Sequence, residues 1–223
     1  MTVKLFVQAI LNITLGVELV GQLVILPAGT WDDFGGWLLM GILFVPMFLA
    51  GIVMMWKNPD LLKSRLNAKE KQGEQQLVVK LSGLMFLGGF ILAGLDFRFG
   101  WLPLPKTVSI GGAVAFLIAY LLYAEVLREN TYLSRTIEVQ ENQKVYDTGL
   151  YGIVRHPMYS ATVLLFLSMP LVLGSLISFV IFLAYPFIIA KRIKHEEAFL
   201  EKELPGYRAY KEKVKYRLIP FVW

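Results

Sequence analysis

Long runs of apolar residues alternate with short polar links along most of the chain. Four of these runs are long enough to cross a membrane as helices, because a spanning helix needs about 20 mostly apolar residues. Two shorter runs follow, and only Gly174 and Ser175 separate them, which predicts a tight helical hairpin. The predicted membrane segments are Leu5 to Leu26, Phe34 to Trp56, Leu77 to Leu95, Val108 to Leu127, Met158 to Leu173 and Leu176 to Ala190.

This pattern predicts an all-α protein, a polytopic membrane helical bundle of about six membrane segments. Of the 223 residues, 56% are hydrophobic and 17% are charged, which is more apolar than a soluble domain of this length can bury. The first run lacks a small-residue cleavage site, so we interpret it as a retained helix and not as a secretory signal. The absence of cysteine excludes disulfides, cysteine-ligated zinc and thiol catalysis, and no metal site is predicted.

The basic residues predict the orientation in the membrane, because lysine and arginine in short loops resist translocation. The link between the first two segments has no basic residue and carries Asp32 and Asp33, so we expect it on the outer side. The links after the second and fourth segments and the tail after Ala190 are rich in lysine and arginine and are expected on the cytoplasmic side. The net charge of +5 then reflects contact with anionic headgroups, so membrane lipids and not nucleic acid are the predicted partners.

Glu18 lies well inside the first predicted segment, where an ionisable side chain is costly and is a candidate for a functional role. The alternative is that Glu18 pairs with a polar neighbour or lies in a wet crevice. The glycines of the third and fourth segments indicate close helix packing rather than phosphate binding.

The residues that indicate chemistry cluster after Arg128. A polar segment and the turn-like sequence Thr148 to Tyr151 lead to Arg155-His156-Pro157-Met158-Tyr159, which opens the fifth segment. Pro157 predicts the first turn of a helix with His156 just outside it, beside unpaired N–H groups that suit a carboxylate or another anion. The alternative is that the basic residues are interfacial anchors and that Tyr159 belongs to an aromatic belt.

The sixth segment runs into a polar sequence that contains Arg192 and the pair Glu196-Glu197. Helical spacing places Arg192 and Glu196 on one face, where they are positioned to close the mouth of a crevice. The alternative is an exposed surface pair, which contributes only a few tenths of a kcal/mol. We expect this region to form an interfacial carboxyl-terminal helix from about Lys191 to Lys213.

These two motifs, in this order and on either side of a hydrophobic hairpin, carry a family resemblance. Residues Asn130 to Trp223 resemble the isoprenylcysteine carboxyl methyltransferase and phospholipid methyltransferase superfamily, whose hallmark is Arg-His-Pro-x-Tyr followed by Glu-Glu. The amino-terminal half resembles bacterial and archaeal members more loosely. We therefore divide the chain into an N-terminal four-helix membrane region, residues 1–128, and a methyltransferase core, residues 129–223.

The resemblance implies a site for S-adenosyl-L-methionine at the cytoplasmic interface, formed by the loop before the fifth segment and by the carboxyl-terminal helix. By matching position, Arg192 would be the catalytic residue that faces the methyl acceptor. Gln143 stands where eukaryotic members have a histidine. The residues implied in cofactor binding are Gln140, Gln143, Lys144, Val145, Tyr146, Tyr151, His156, Pro157, Met158, Tyr159 and Glu196.

The function implied by the resemblance is methyl transfer to a lipid-linked or lipophilic acceptor, with carboxyl methylation as the leading reaction. A carboxylate is ionised near neutral pH and needs no base, so the enzyme's task would be alignment, exclusion of water and placement of charge. The alternative enzyme is a phospholipid headgroup N-methyltransferase, in which an amine acceptor needs a proton acceptor such as His156 or Glu197. A further alternative is a non-enzymatic membrane transporter or scaffold.

Overall fold

A computed structural model describes residues 3–66, 73–130, 132, 139 and 143–223 of the chain. The described residues form α-helices and no β-strand, so the predicted all-α membrane bundle is confirmed. The helices are α1 (Val3–Ala28), α2 (Phe34–Lys57), α3 (Pro59–Leu66), α4 (Gly73–Phe99), α5 (Lys106–Glu129), α6 (Pro157–Val172), α7 (Leu176–Phe182), α8 (Ala184–Glu203) and α9 (Tyr207–Lys213). Gln140, one of the predicted cofactor residues, lies outside the described part.

Within the described part of the chain, five stretches of helix are long and apolar enough to cross a membrane: α1, α2, most of α4, α5, and α7 together with α8. The first four coincide with predicted segments. The predicted fifth segment corresponds to α6, a shorter apolar helix of 16 residues. At a rise of 1.5 Å per residue it covers about 24 Å, which is less than the roughly 30 Å hydrocarbon core.

The predicted tight hairpin between the last two apolar runs is confirmed, with Gly174 and Ser175 between α6 and α7. The hydroxyl of Ser175 accepts a hydrogen bond from the N–H of Ser178 and caps α7. The same hydroxyl donates to Asp96 Oδ2 at 2.5 Å, and Asp96 Oδ1 accepts from the N–H of Leu102 at 2.7 Å. Asp96 is buried at the end of α4, so the carboxylate ties that end to the hairpin.

One apolar core joins the helices of both halves of the chain. Phe86 and Phe90 of α4 pack against Phe182 of α7, with ring centroids 5.4 and 5.7 Å apart. Gly94 of α4 faces α1 so closely that an added Cβ atom would meet the carbonyl oxygen of Val24. The predicted role of glycine in close helix packing is therefore seen at this contact.

The interfacial helix expected from Lys191 to Lys213 is not continuous, and the prediction is wrong at this point. Helix α8 runs without a break from its apolar start to Glu203, and a separate short helix, α9, begins at Tyr207. Pro205 disfavours helical geometry at Leu204, which adopts φ −107° and ψ 108°. Gly206 has φ +87°, a left-handed conformation that favours glycine, and the chain turns there.

Candidate functional site

The chain preceding α6 pairs with the carboxyl-terminal tail. Pro157 occupies the first turn of α6, as predicted, and His156 stands just before it. The N–H of Arg155 donates to the carbonyl of Tyr216, and the N–H of His156 donates to that of Arg217, both at 2.9 Å. Two neighbouring backbone groups are thus satisfied by the tail, which fixes the position of α6's first turn.

A buried charge cluster lies behind this pairing, with Glu197 at its centre. Oε1 of Glu197 accepts a hydrogen bond from Arg155 Nε at 2.7 Å and lies 3.3 Å from His156 Nε2. Oε2 of Glu197 accepts from Arg217 Nε at 2.8 Å. Arg155 and His156 are only 5% and 6% exposed, so they do not reach the headgroups as interfacial anchors would.

Arg155 also binds the tail directly. Its Nη1 donates to the carbonyl oxygens of Val214 at 2.6 Å and Lys215 at 2.8 Å. The guanidinium group therefore joins α6, α8 and the tail in one buried network. Buried charges are tolerated only when they are paired and hydrogen-bonded in this way.

Tyr159 stands at the front of the site, between the two residues that were expected to share a helical face. Its hydroxyl donates to Glu196 Oε2 at 2.6 Å and accepts from Arg192 Nε at 2.8 Å. Arg192 and Glu196 do lie on the same side of α8. The tyrosine ring is 6% exposed, which does not fit a residue of an aromatic belt.

These groups line a cavity of about 820 Å³, counting its open mouth. Most of the predicted cofactor residues are brought together here, as is Arg192. Pro157 begins α6 and is not part of the lining described. The predicted residues in the lining are Gln143, Lys144, Val145, Tyr146, Tyr151, His156, Met158, Tyr159, Arg192 and Glu196.

The sequence prediction missed part of the lining, mainly on the carboxyl-terminal side. The additional residues are Asn130, Tyr132, Arg155, Leu200, Leu204, Tyr207 and Tyr210. Leu200 and Leu204 follow Glu196 at intervals of four, so helical spacing alone places them along the same face. Tyr207 and Tyr210 come after the break at Gly206, and the sequence contains no comparable signal for them.

Two of these tyrosines differ in their hydrogen bonding. The hydroxyl of Tyr210 donates to the carbonyl of Tyr151 at 2.8 Å. The hydroxyl of Tyr207 is buried and has no hydrogen-bond partner among the described residues. A buried polar group without a partner is unusual in a folded protein and needs an explanation.

Burial raises the pKa of the Tyr151, Tyr207 and Tyr210 phenols well above the usual range for tyrosine. The neighbouring carboxylates act in the same direction, because Glu196 raises the pKa of Tyr151 and Glu197 that of Tyr207. All three phenols therefore stay protonated at neutral pH. Each phenol is therefore a neutral hydroxyl group, which can both donate and accept hydrogen bonds.

A loop without regular secondary structure, residues 143–147, contributes its first four residues to one wall of the cavity. Tyr146 lies near the rings of Tyr132 and Tyr151, with centroids 6.2 and 6.4 Å away. Asp147 at the end of the loop accepts a hydrogen bond from Lys213 Nζ at 2.6 Å, and this ammonium group lowers the pKa of the carboxyl. An exposed ion pair thus connects the end of this loop with α9.

A second cavity, which we call the lipid-facing groove, adjoins the first. It measures about 1070 Å³ with its open side included and lies between α4, α5, α6 and α8. Met158, Tyr159 and Arg192 line both cavities. The other lining residues are Val78, Val79, Ser82, Gly83, Phe86, Tyr123, Thr162, Phe166, Tyr185 and Ile189.

Comparison with known families identifies the segment that contains the residues shared by the two cavities. No curated protein shows significant similarity to the chain. Residues 108–205 match the family model described as phospholipid methyltransferase, and the match covers α5 to α8 with Tyr159, Arg192 and Glu196. Among the described residues, no group of three or more His, Cys, Asp or Glu side chains is arranged to hold a metal ion. The predicted resemblance is confirmed over residues 108–205, which are similar to the phospholipid methyltransferase family.

Proposed function

We propose that the protein is an S-adenosyl-L-methionine-dependent integral membrane methyltransferase that acts on a lipophilic acceptor. The observation that supports this most directly is the junction of the two cavities. A polar, aromatic cavity meets a largely apolar groove between membrane helices, and Tyr159 and Arg192 line both. A polar cofactor in the first cavity and a hydrophobic acceptor in the groove can therefore meet where the two cavities join, and each stays in an environment that matches its polarity.

The residues of the first cavity fit the cofactor chemically. Glu196 suits the ammonium group or the ribose hydroxyls, and the amino end of α6 suits the carboxylate. The rings of Tyr132, Tyr146 and Tyr151 suit the adenine base. The unpartnered hydroxyl of Tyr207 supplies one further hydrogen-bonding group for a bound ligand.

When bound, the cofactor supplies an electrophilic methyl group on a sulfonium sulfur. The work of the protein is to align the acceptor with that group and to exclude water. Tyr159 holds Arg192 and Glu196 in fixed positions through its hydroxyl, at 2.8 and 2.6 Å. The cofactor-binding carboxylate and the acceptor-facing guanidinium are thereby kept at a constant separation.

A lipid-linked carboxylate is the acceptor that we favour. Arg192 offers a planar fork of donors at the end of the lipid-facing groove, and such a fork matches a carboxylate. The nucleophile is already ionised at neutral pH and needs no general base. An aliphatic chain attached to it fits against Phe86, Phe166 and Ile189.

N-methylation of a phospholipid headgroup is the second candidate, because the matched family model bears that description. An amine acceptor must be neutral to attack, so a proton acceptor is required. His156 and Glu197 are the candidates indicated by the sequence, and their side chains lie 3.3 Å apart. Both are buried behind Tyr159 and share the network with Arg155, which makes them less accessible for proton transfer.

Calorimetric titration with S-adenosylhomocysteine tests the cofactor site. Purified protein should bind this product in a saturable manner. Glu196→Gln should weaken binding by about 1–3 kcal/mol, the range for loss of a charge-assisted hydrogen bond. Glu203→Gln is the matched control, because its exposed carboxylate lies on the same helix outside the cavity. A folded wild-type protein that does not bind would favour the scaffold alternative.

Labelled cofactor distinguishes the two acceptor classes. The protein would be incubated with a prenylated cysteine analogue or with phosphatidylethanolamine vesicles, and the labelled product would be treated with alkali. A methyl ester releases volatile methanol under these conditions, whereas an N-methyl group is stable. Stable label in the phospholipid alone would replace carboxyl methylation with the second candidate.

We also propose that the site faces the cytoplasm, in keeping with the distribution of basic residues. The native chain has no cysteine, so single cysteines can be introduced without background. In sealed and oriented membranes, Lys202→Cys should be protected from an impermeant outer reagent and Asp32→Cys should react. The reverse pattern would invert the proposed orientation.

A further inference from the structure

The outward face of α1 carries an ionisable residue that the proposed activity does not use. Glu18 lies near the middle of the membrane span Leu5–Ala28 and is exposed on the surface of the bundle. It has no hydrogen-bond or ion-pair partner among the described residues. Ionisable residues at this depth normally face the interior of a bundle or pair with another group.

Glu18 belongs to a regular line of exposed side chains. Gln8, Leu11, Leu15, Glu18 and Gln22 are all exposed and follow one another at intervals of three, four, three and four residues. This is the spacing of the contact positions in a two-helix coiled coil. The line, which we call the α1 seam, therefore has the periodicity of a helix interface.

The opposite side of α1 already packs against the bundle. Ala9, Val24 and Ala28 are buried there. Gly94 of α4 approaches Val24 closely on this side. The α1 seam is therefore not covered by any of the described residues.

We propose that the α1 seam binds the α1 seam of a second copy of this protein, which forms a parallel dimer in the membrane. Two copies that are inserted in the same orientation can be related by a twofold axis along the seam. Each seam residue then faces the same residue of the second copy. The amides of Gln8 and Gln22 both donate and accept hydrogen bonds, so each is complementary to itself. Leu11 and Leu15 provide an apolar layer between these polar levels.

The acidic residue also has a partner in this arrangement. Gln22 of the facing helix lies one step along the seam from Glu18 and can donate an amide hydrogen bond to its carboxylate. The two glutamates do not have to bind one another. Interhelical polar contacts of this kind hold membrane helices together where lipid offers no hydrogen bonds.

Oxidative cross-linking in native membranes tests the dimer on the full-length chain, which has no cysteine of its own. Leu15→Cys lies in the seam and should form a disulfide-linked dimer. Val17→Cys is the matched control at nearly the same depth. It is 36% exposed and points about 200° away around the helix, so it should not cross-link. Equal cross-linking of both variants would indicate random collision and overturn the proposal.

Replacement of Glu18 tests the polar contact. In the Leu15→Cys background, Glu18→Leu should reduce the cross-linked fraction by about threefold to thirtyfold, in line with the strength of interhelical polar contacts. Glu18→Gln keeps a donor and an acceptor and should preserve cross-linking. An unchanged fraction in Glu18→Leu, or a monomeric mass for the unmodified protein in mild detergent and in lipid nanodiscs, would reject the α1 seam as a dimer interface. These measurements read association only, so they do not depend on the proposed methyltransferase activity.

Discussion

The helices α1 to α5 and the segment from residue 143 onward are held together by different interactions. In the first region, packing rests on apolar side chains and on glycine contacts such as Gly94 against Val24. In the second, a continuous set of hydrogen bonds and ion pairs joins α6, α8 and the tail around Glu197. The stability of the first region therefore depends mainly on close packing, and that of the second depends on specific hydrogen bonds and ion pairs. Substitutions that add volume at a close helix contact should therefore destabilise the first region, and loss of a charged partner should destabilise the second.

The largest effect is expected at the centre of the buried charge cluster. Glu197→Leu leaves Arg155 and Arg217 without their carboxylate partner, so the free energy of unfolding should fall by about 3–5 kcal/mol. Thermal unfolding of the detergent-solubilised protein would measure it. Glu203→Leu, at an exposed position of the same helix, should leave the transition nearly unchanged. Equal stability of the two variants would mean that the second region is not held by this cluster.

A smaller effect, on turnover rather than on folding, is expected at Arg192. If the guanidinium group of Arg192 binds an acceptor carboxylate through two hydrogen bonds, lysine cannot replace it. Arg192→Lys should then lower turnover almost as much as Arg192→Ala, by about tenfold to a thousandfold. Cofactor affinity should stay close to that of the wild type.

Lys191→Ala, an exposed neighbour, is the control. Single-turnover methylation and calorimetry on the same preparations would provide the two readouts. Near-normal turnover in Arg192→Lys would exclude the carboxylate clamp and favour an amine acceptor.

The first region can be tested through its glycines. An added methyl group at Gly94 would come within hard contact of the Val24 carbonyl and of Pro27, so Gly94→Ala should destabilise the protein by about 1–3 kcal/mol. Gly88 of the same helix has open space around its Cα, and Gly88→Ala should be neutral or slightly stabilising. If both substitutions are neutral, close packing does not determine the first region.

The smallest effects separate binding from stability within the site. Tyr210→Phe removes a hydrogen bond to the carbonyl of Tyr151 and should lower stability by about 1 kcal/mol. Tyr207→Phe removes a hydroxyl that has no partner among the described residues, so stability should not fall. Its affinity for S-adenosylhomocysteine should decrease by about 1 kcal/mol instead. Thermal unfolding and calorimetric titration of both variants would show whether Tyr210→Phe lowers stability and Tyr207→Phe lowers affinity.

The sequence predicted the outline of the fold because membrane spans are determined by local composition. The four long apolar runs, the start of α6 at Pro157 and the hairpin at Gly174 all follow from run length and from proline and glycine chemistry. The end of α8 was missed, since the polar residues after Ala190 continued to favour a helix. Pro205 and Gly206 overrode that preference.

The site was predicted only in part, because its geometry depends on residues far apart in the chain. The motif resemblance predicted Tyr159, Arg192 and Glu196 as site residues, but the position of the tyrosine hydroxyl between the two α8 side chains depends on the packing of α6 against α8. The role of Arg155 was not predicted for the same reason, since its partners are carbonyl groups of the tail. No local pattern of residues encodes such a contact.

The bonds between Arg155 and the tail also constrain the order in which the protein can be made. The carbonyls of Val214 and Lys215 lie 59 and 60 residues after the arginine, so they leave the ribosome later by several seconds, about 3 to 12 at typical synthesis rates. During that interval Arg155, which lies just before α6, lacks the acceptors that make burial of its guanidinium group tolerable. Arg155 can therefore reach its buried, fully hydrogen-bonded state only after residues up to Lys215 have been synthesised, which is later than the synthesis of helices α1 to α5.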